Sequence, residues 1–181
     1  MKNSILIAIL LLFSIGFIAC EKEDPVIPNE EELITTLKLS FQPVGGGSTV
    51  EFSFQDLDGD GGDAPIITTG VLAPNTSYTC SLELLNELET PPEDITEEVE
   101  EEGDEHQLFY GISGADLSFT YTDQDANGNP IGLLTSSMTG EASTGTLKVI
   151  LRHQPTKPND GNPDNAGGET DIEVTFDVVI R

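Results

Sequence analysis

Apolar residues at every second position, interrupted at short intervals by Gly, Pro, Asn and Asp, constrain this chain more than any other feature. The pattern is cleanest at the C-terminus, where Ile172, Val174, Phe176, Val178 and Ile180 alternate with mostly polar neighbours. Successive side chains of a strand point to opposite faces, so such a segment has one buried and one wet face. The same alternation runs through Leu37, Leu39, Phe41; Val50, Phe52, Phe54; Tyr78, Cys80, Leu82, Leu84; Leu108, Tyr110, Ile112; Leu117, Phe119, Tyr121; and Leu147, Val149, Leu151. Residues 66–72 and, more weakly, 130–135 complete the set. About nine short strands with turn signals between them predict an all-β fold, an immunoglobulin-like antiparallel β-sandwich. With no Trp and 6% aromatics, its core rests on Val, Ile, Leu and a few Phe and Tyr. One stretch departs from the pattern: residues 91–107, PPEDITEEVEEEGDEHQ. It predicts a short acidic helix or loop insertion over 93–102, with Pro91 and Pro92 near its start.

The N-terminus reads as an export signal. Lys2 precedes an apolar run over 5–18 that is too short to span a membrane. Phe17-Ile18-Ala19-Cys20 looks like a bacterial lipobox, which assigns 1–19 as a lipoprotein signal peptide and Cys20 as the lipidated residue. Glu21-Lys22-Glu23-Asp24 resembles the surface-export signal of Bacteroidota lipoproteins. Residues 20–32 then form a flexible acidic tether, and 33–181 form the β-sandwich domain. The expected location is the outer membrane, lipid-anchored and exposed on the cell surface. Lipidation of Cys20 leaves Cys80 alone, so no intramolecular disulfide can form. Cys80 shares the parity of Leu82 and Leu84, which predicts a buried thiol.

Charge excludes several partners. The formal net charge is −26, and removal of 1–19 takes away Lys2 alone, giving about −27. Such a chain repels nucleic acid and anionic headgroups and favours cations or basic proteins. The loops sharpen this. Connections after the first, third, fifth and seventh predicted strands are short; those after the second, fourth, sixth and eighth are long and rich in Asp, Asn or Glu. The long ones cover 56–65, 87–106, 123–129 and 154–168. If each connection reverses the chain, all four share one end of the sandwich.

Both histidines fall at that end. His106 has the parity of Leu108 and Tyr110 and precedes their strand; His153 has the parity of Leu147, Val149 and Leu151 and closes theirs. Neutral imidazole with carboxylate suits Zn²⁺, Cu²⁺ or Fe²⁺, so His106, His153, Glu101, Glu105 and Asp171 form the candidate metal set. With bonds near 2 Å, imidazoles more than about 10 Å apart could not share one ion. Haem is disfavoured because the carboxylates would repel its propionates. Two loops also carry oxygen ligands at alternate positions, as calcium loops do: Asp56, Asp58 and Asp60 with Asp63, and Asp123, Asp125 and Asn127. Neither has the closing Glu; Ile67 and Leu134 stand there. The bland alternative is that these residues make surface turns.

The stretches DLDGDGGDAPIITTGVLAPNTSYTCSLELLNE, PPEDITEEVEEEGDEHQLFY, YTDQDANGNPIG, GTLKVILRHQP and AGGETDIEVTFDVVI together resemble an uncharacterised family of flavobacterial surface lipoproteins. Its members often carry the label "type 1 periplasmic binding fold superfamily". That label denotes two-lobed α/β structures, and this chain has neither the length nor the βαβ pattern for one. The resemblance implies compartment and organism group, with no chemistry attached.

No Ser/His/Asp arrangement or phosphate-cradling Gly loop beside a helix is present, so an enzyme is not expected. The expectation is a surface lipoprotein that binds a divalent cation at its acidic end, as accessory to a TonB-dependent receptor. The alternative is a non-catalytic adhesion or protein-interaction module whose acidic loops meet a basic protein.

Overall fold

The computed structural model describes residues 32–59 and 61–181. The expected signal peptide (1–19), Cys20, most of the expected tether (20–32) and Asp60 lie outside them. The fold is an all-β sandwich. In chain order it comprises β1 (Thr36–Pro43), β2 (Val50–Gln55), β3 (Ile66–Thr69), β4 (Val71–Leu72), β5 (Ser77–Asn86), β6 (Glu93–Asp94), α1 (Ile95–Glu101), β7 (His106–Ser113), β8 (Leu117–Tyr121), β9 (Leu134–Thr139), β10 (Ser143–His153), α2 (Pro163–Ala166) and β11 (Glu169–Ile180). One sheet runs β3-β2-β1-β5-β9-β8, with β6 paired to the end of β5; the other runs β4-β11-β10-β7.

Alternation decides which face each strand buries. Leu37, Leu39 and Phe41 of β1 and Leu82 and Leu84 of β5 face Leu147, Val149 and Leu151 of β10 and Val174 and Phe176 of β11, all buried. Phe52 meets Phe176 at 5.7 Å between ring centroids, and Tyr110 stacks on Phe119 at 4.6 Å. Each such side chain contributes about 1.5–3 kcal/mol of burial. Cys80 is buried and unpaired as a disulfide, as its parity predicts. Burial raises its thiol pKa, while Ser137 and Thr135 pull the other way.

Two predicted strands differ from the observed ones. Residues 66–72 are split at Gly70. β3 pairs antiparallel with β2 in one sheet, while β4 pairs parallel with β11 in the other. A Cβ on Gly70 would come within 2.4 Å of Val50, so the crossing needs glycine. Residues 130–133 are not a strand. They cross between the sheets, with Leu108 N–H donating to Ile131 O and Gly132 at φ 101°. The seventh strand begins instead at Leu134, and its buried positions are Thr135, Ser137 and Thr139.

Pairing directions support the shared end. β1 lies antiparallel to β2 and to β5, β9 to β5 and β8, and β10 to β7 and β11. The long loops also touch. Lys157, after β10, donates to Gly103 O (2.5 Å), before β7, and to Asp125 (3.3 Å), between β8 and β9. Gln55, at the lip of the first long loop, donates to Glu87, at the lip of the second.

Candidate metal centre

The two imidazoles are brought together by sheet register. In the β7–β10 ladder Tyr110 faces Val149, Leu108 faces Leu151, and His106 faces His153 as the last rung. The pair thus continues an inward-facing apolar ladder, which is why both rings are buried, 0% and 3% exposed. Their centroids are 4.5 Å apart, well inside the limit for sharing an ion.

Asp171 joins them through an irregularity. Ile172 and Val174 face the core, so strict alternation would turn Asp171 outward. The β10–β11 register shifts between Leu151 and Arg152: Ile172 pairs with Leu151, but Thr170 pairs with Arg152. Asp171 is the extra residue of a bulge, and bulges re-aim side chains. Its side chain is fully buried and spans the rings, Oδ1 lying 3.8 Å from His153 Nδ1 and Oδ2 4.0 Å from His106 Nε2. Gly168 lets β11 begin close by, since a Cβ there would meet His153 O at 2.2 Å.

Glu32 was missed by sequence reasoning, which placed it at the end of the tether. Its carboxylate lies 3.3 Å from His106 Nε2 and is almost fully buried. Glu32, His106 and His153 each offer a ligand atom, all within 4.8 Å of one another. Nothing in the periodicity points to Glu32; the only local signal is its position just before the first strand.

The Glu32–His106 contact is not an ion pair. Burial holds the His106 imidazole down at about 4, although the Glu102 carbonyl pulls upward. Burial, reinforced by Glu98, Glu102 and Glu93, lifts Glu32 to about 7. The neutral ring has one proton, and His106 Nδ1 lies 3.2 Å from the Glu102 carbonyl, which can only accept. The proton therefore sits on Nδ1, and Nε2 presents a lone pair towards Glu32. Nε2 is buried without a hydrogen-bond partner among the described residues, as is His153 Nδ1. A lone pair facing a carboxylate oxygen is reconciled by a proton or by a cation between them. A backbone carbonyl that fixes the tautomer in this way is the usual outer partner of a metal-binding imidazole.

The other predicted ligands lie as follows. Glu105 is half exposed, with Oε2 3.8 Å from His153 Nε2 and accepting from Gln154 (2.8 Å). Glu101 lines a separate cavity with Gly103, Asp104 and Asp125. In the first candidate calcium loop, Asp56 accepts from the backbone N–H of Asp58 and Gly59, and Asp58 from that of Asp63. In the second, Asp123 accepts from Gly132 and Leu134 N–H. Asp125 accepts from Asn127 and Asn129 N–H and from the Lys157 ammonium. These carboxylates turn on their own backbone or on a lysine, as the turn reading expects. No side-chain hydrogen bond is found for Asn127 among the described residues.

No protein-family model, curated protein or solved structure matches the chain.

Proposed function

We propose that this protein is a surface lipoprotein whose buried His106–His153–Glu32 group holds a divalent d-block cation, with Asp171 as a fourth ligand. The observation that carries the reading is the pair of buried imidazoles, one with its free lone pair turned on a carboxylate. Nitrogen and oxygen donors of this kind suit Zn²⁺, Cu²⁺ and Fe²⁺ better than Ca²⁺, which takes oxygen ligands alone. Ligand atoms of a tetrahedral Zn²⁺ lie about 3.3 Å apart, given bonds of about 2 Å. The present spacing within 4.8 Å closes to that by inward movements of under about 1 Å each.

Full burial offers a reacting substrate no approach to the imidazoles. The site suits retention or delivery of an ion, as an accessory to a TonB-dependent receptor would require, more than turnover. Anchoring and surface export rest on the sequence signals around Cys20.

Titration calorimetry of the metal-free protein with Zn²⁺, Cu²⁺, Fe²⁺ and Ca²⁺ tests this. The expected result is micromolar or tighter binding of a d-block ion that His106→Ala with His153→Ala abolishes. Affinity weaker than about millimolar, or unchanged in the double variant, removes the site.

One observation favours the protein-interaction reading instead. β3 is an edge strand exposed along its whole length, with Ile66 63% and Ile67 44% exposed. Bare apolar edges invite pairing with another chain. Retention of an outer-membrane partner in chelator, lost on Ile67→Lys, would favour that class.

A further inference from the structure

The imidazole pair has almost no contact with solvent: His106 is 0% and His153 3% exposed. A bare ion in an apolar interior is costly, so an entering cation must trade its waters for protein ligands stepwise. The first protein ligand in that exchange has to be open to solvent and within reach of a ring. Among the described residues, Glu32, Asp171 and Glu105 place a carboxylate oxygen within 4.0 Å of an imidazole nitrogen. The Glu32 side chain is 5% exposed and that of Asp171 0%, whereas that of Glu105 is 49% exposed.

His153 joins these two environments. Its Nδ1 faces the buried Asp171 Oδ1 at 3.8 Å, and its Nε2 faces Glu105 Oε2, also at 3.8 Å. One ring thus separates the accessible carboxylate from the buried group. Glu105 is held against that ring from two sides. The Gln154 backbone N–H donates to Glu105 O (2.6 Å), and the Gln154 side-chain amide donates to Glu105 Oε2 (2.8 Å). Gln154 does so at φ 50°, a left-handed conformation uncommon outside glycine. Such residues persist where their surroundings over-determine them, and they cluster at ligand clamps and switch regions.

We propose that Glu105 is the entry ligand of the metal centre. The ion first bridges Glu105 and His153 Nε2, then moves inward as the His153 ring turns, and Glu32 replaces Glu105 in the final set. The inference rests on the metal reading above and adds the route by which the site is loaded.

A ligand used on the path but absent from the final set alters entry and exit rates equally and leaves Kd alone. The test is stopped-flow mixing of the metal-free protein with Co²⁺, whose visible absorption reports nitrogen and oxygen ligation, followed by a chelator chase for the exit rate. At physiological ionic strength, fields are screened beyond about 8 Å. Glu105→Gln should slow entry and exit each by about tenfold, with Kd changed less than threefold. Asp104→Asn, the same charge change at the exposed neighbouring position, should change either rate less than twofold. Four results would overturn the proposal. Unchanged rates in Glu105→Gln, or equal slowing in Asp104→Asn, would remove the entry role and leave the metal centre standing. Faster exit with weaker Kd would make Glu105 a ligand of the final set. Absence of Co²⁺ binding by the wild type would remove the metal centre itself, and the entry ligand with it.

Discussion

At the residue scale, His106 and Glu32 are shifted in opposite directions, and both shifts bear on stability. An imidazole at about 4 when folded, against 6.5 unfolded, costs stability as pH falls from 6.5 towards 4, because only the unfolded chain takes the proton. A carboxyl at about 7 when folded, against 4.5, costs stability as pH rises from 4.5 towards 7, because only the unfolded chain releases its proton. Between about 4.5 and 6.5 the two slopes cancel: the native pair holds its proton on Glu32, the unfolded pair on His106. Single variants should uncover each slope. Relative to wild type, metal-free Glu32→Gln should lose stability as pH falls through the window, by up to about 1.4 kcal/mol per pH unit. His106→Asn should lose it as pH rises, to a similar degree. Urea titrations at half-unit pH steps would read this, and slopes of the same sign in both variants would refute it. The sequence showed the imidazoles through their parity with Leu108 and Leu151. It could not show Glu32, because a side chain preceding the first strand belongs to no periodic pattern.

At the level of elements, strands with an apolar inward face were legible, and β9 was not. Its buried side chains are Thr135, Ser137 and Thr139, while Leu134 and Met138 are exposed, so the alternation carries the opposite sign. Polar groups in such a row are tolerated when they find partners, and the row is uneven in this respect. Thr139 Oγ1 accepts from Thr76 N–H and donates to Ala73 O, tying the β4–β5 turn to β9. The buried Thr135 hydroxyl has no nitrogen or oxygen partner among the described residues, and it lies beside the Cys80 thiol. Thr139→Val should therefore cost about 1–3 kcal/mol, since it strands a buried donor and acceptor. Thr135→Val, of the same shape, should be neutral or stabilising. Chemical denaturation of the two variants checks the contrast, and equal losses would show that the hydrogen-bond accounting is wrong. The Asp171 bulge was likewise invisible beforehand. The sequence places Asp171 at the correct end, but only a register shift turns an outward parity inward.

Lys157 shows how these elements are tied. It is the buried cation at the junction of three long loops, paired with a buried Asp125 and capped by Gly103 O. Removing one partner of a buried pair leaves the other charge uncompensated and costs about 3–5 kcal/mol. Lys157→Met should destabilise by about that amount. Adding Asp125→Asn should recover part of it, because the orphaned charge is then gone. A double variant no more stable than the single one would mean that Lys157 matters through the Gly103 carbonyl or through packing instead. The sequence marks loop 154–168 only as long and Asp/Asn-rich, and nothing in that pattern singles out its one lysine.

For the whole molecule, direction reversal gathers the long acidic loops at one end, and the net charge of −26 makes that end attract any cation. Affinity for cations in general is therefore weak evidence for a built site, and a discriminating measurement must separate screening from ligation. Thermal unfolding does so. An ion that binds only the native state stabilises it by about 2.7 kcal/mol at a hundred times its Kd. For a domain of this size that is about 5–10 °C in Tm. Zn²⁺ should give such a shift in the wild type, and the shift should fall to that of Mg²⁺ in His106→Ala with His153→Ala. Ca²⁺, with no nitrogen-dependent site and loop carboxylates already bonded to backbone and Lys157, should match Mg²⁺ in both proteins. A Zn²⁺ shift that survives the double variant would mean that the acidic end gathers cations through its field alone. In that case the imidazole rung would be no more than the closing pair of a ladder.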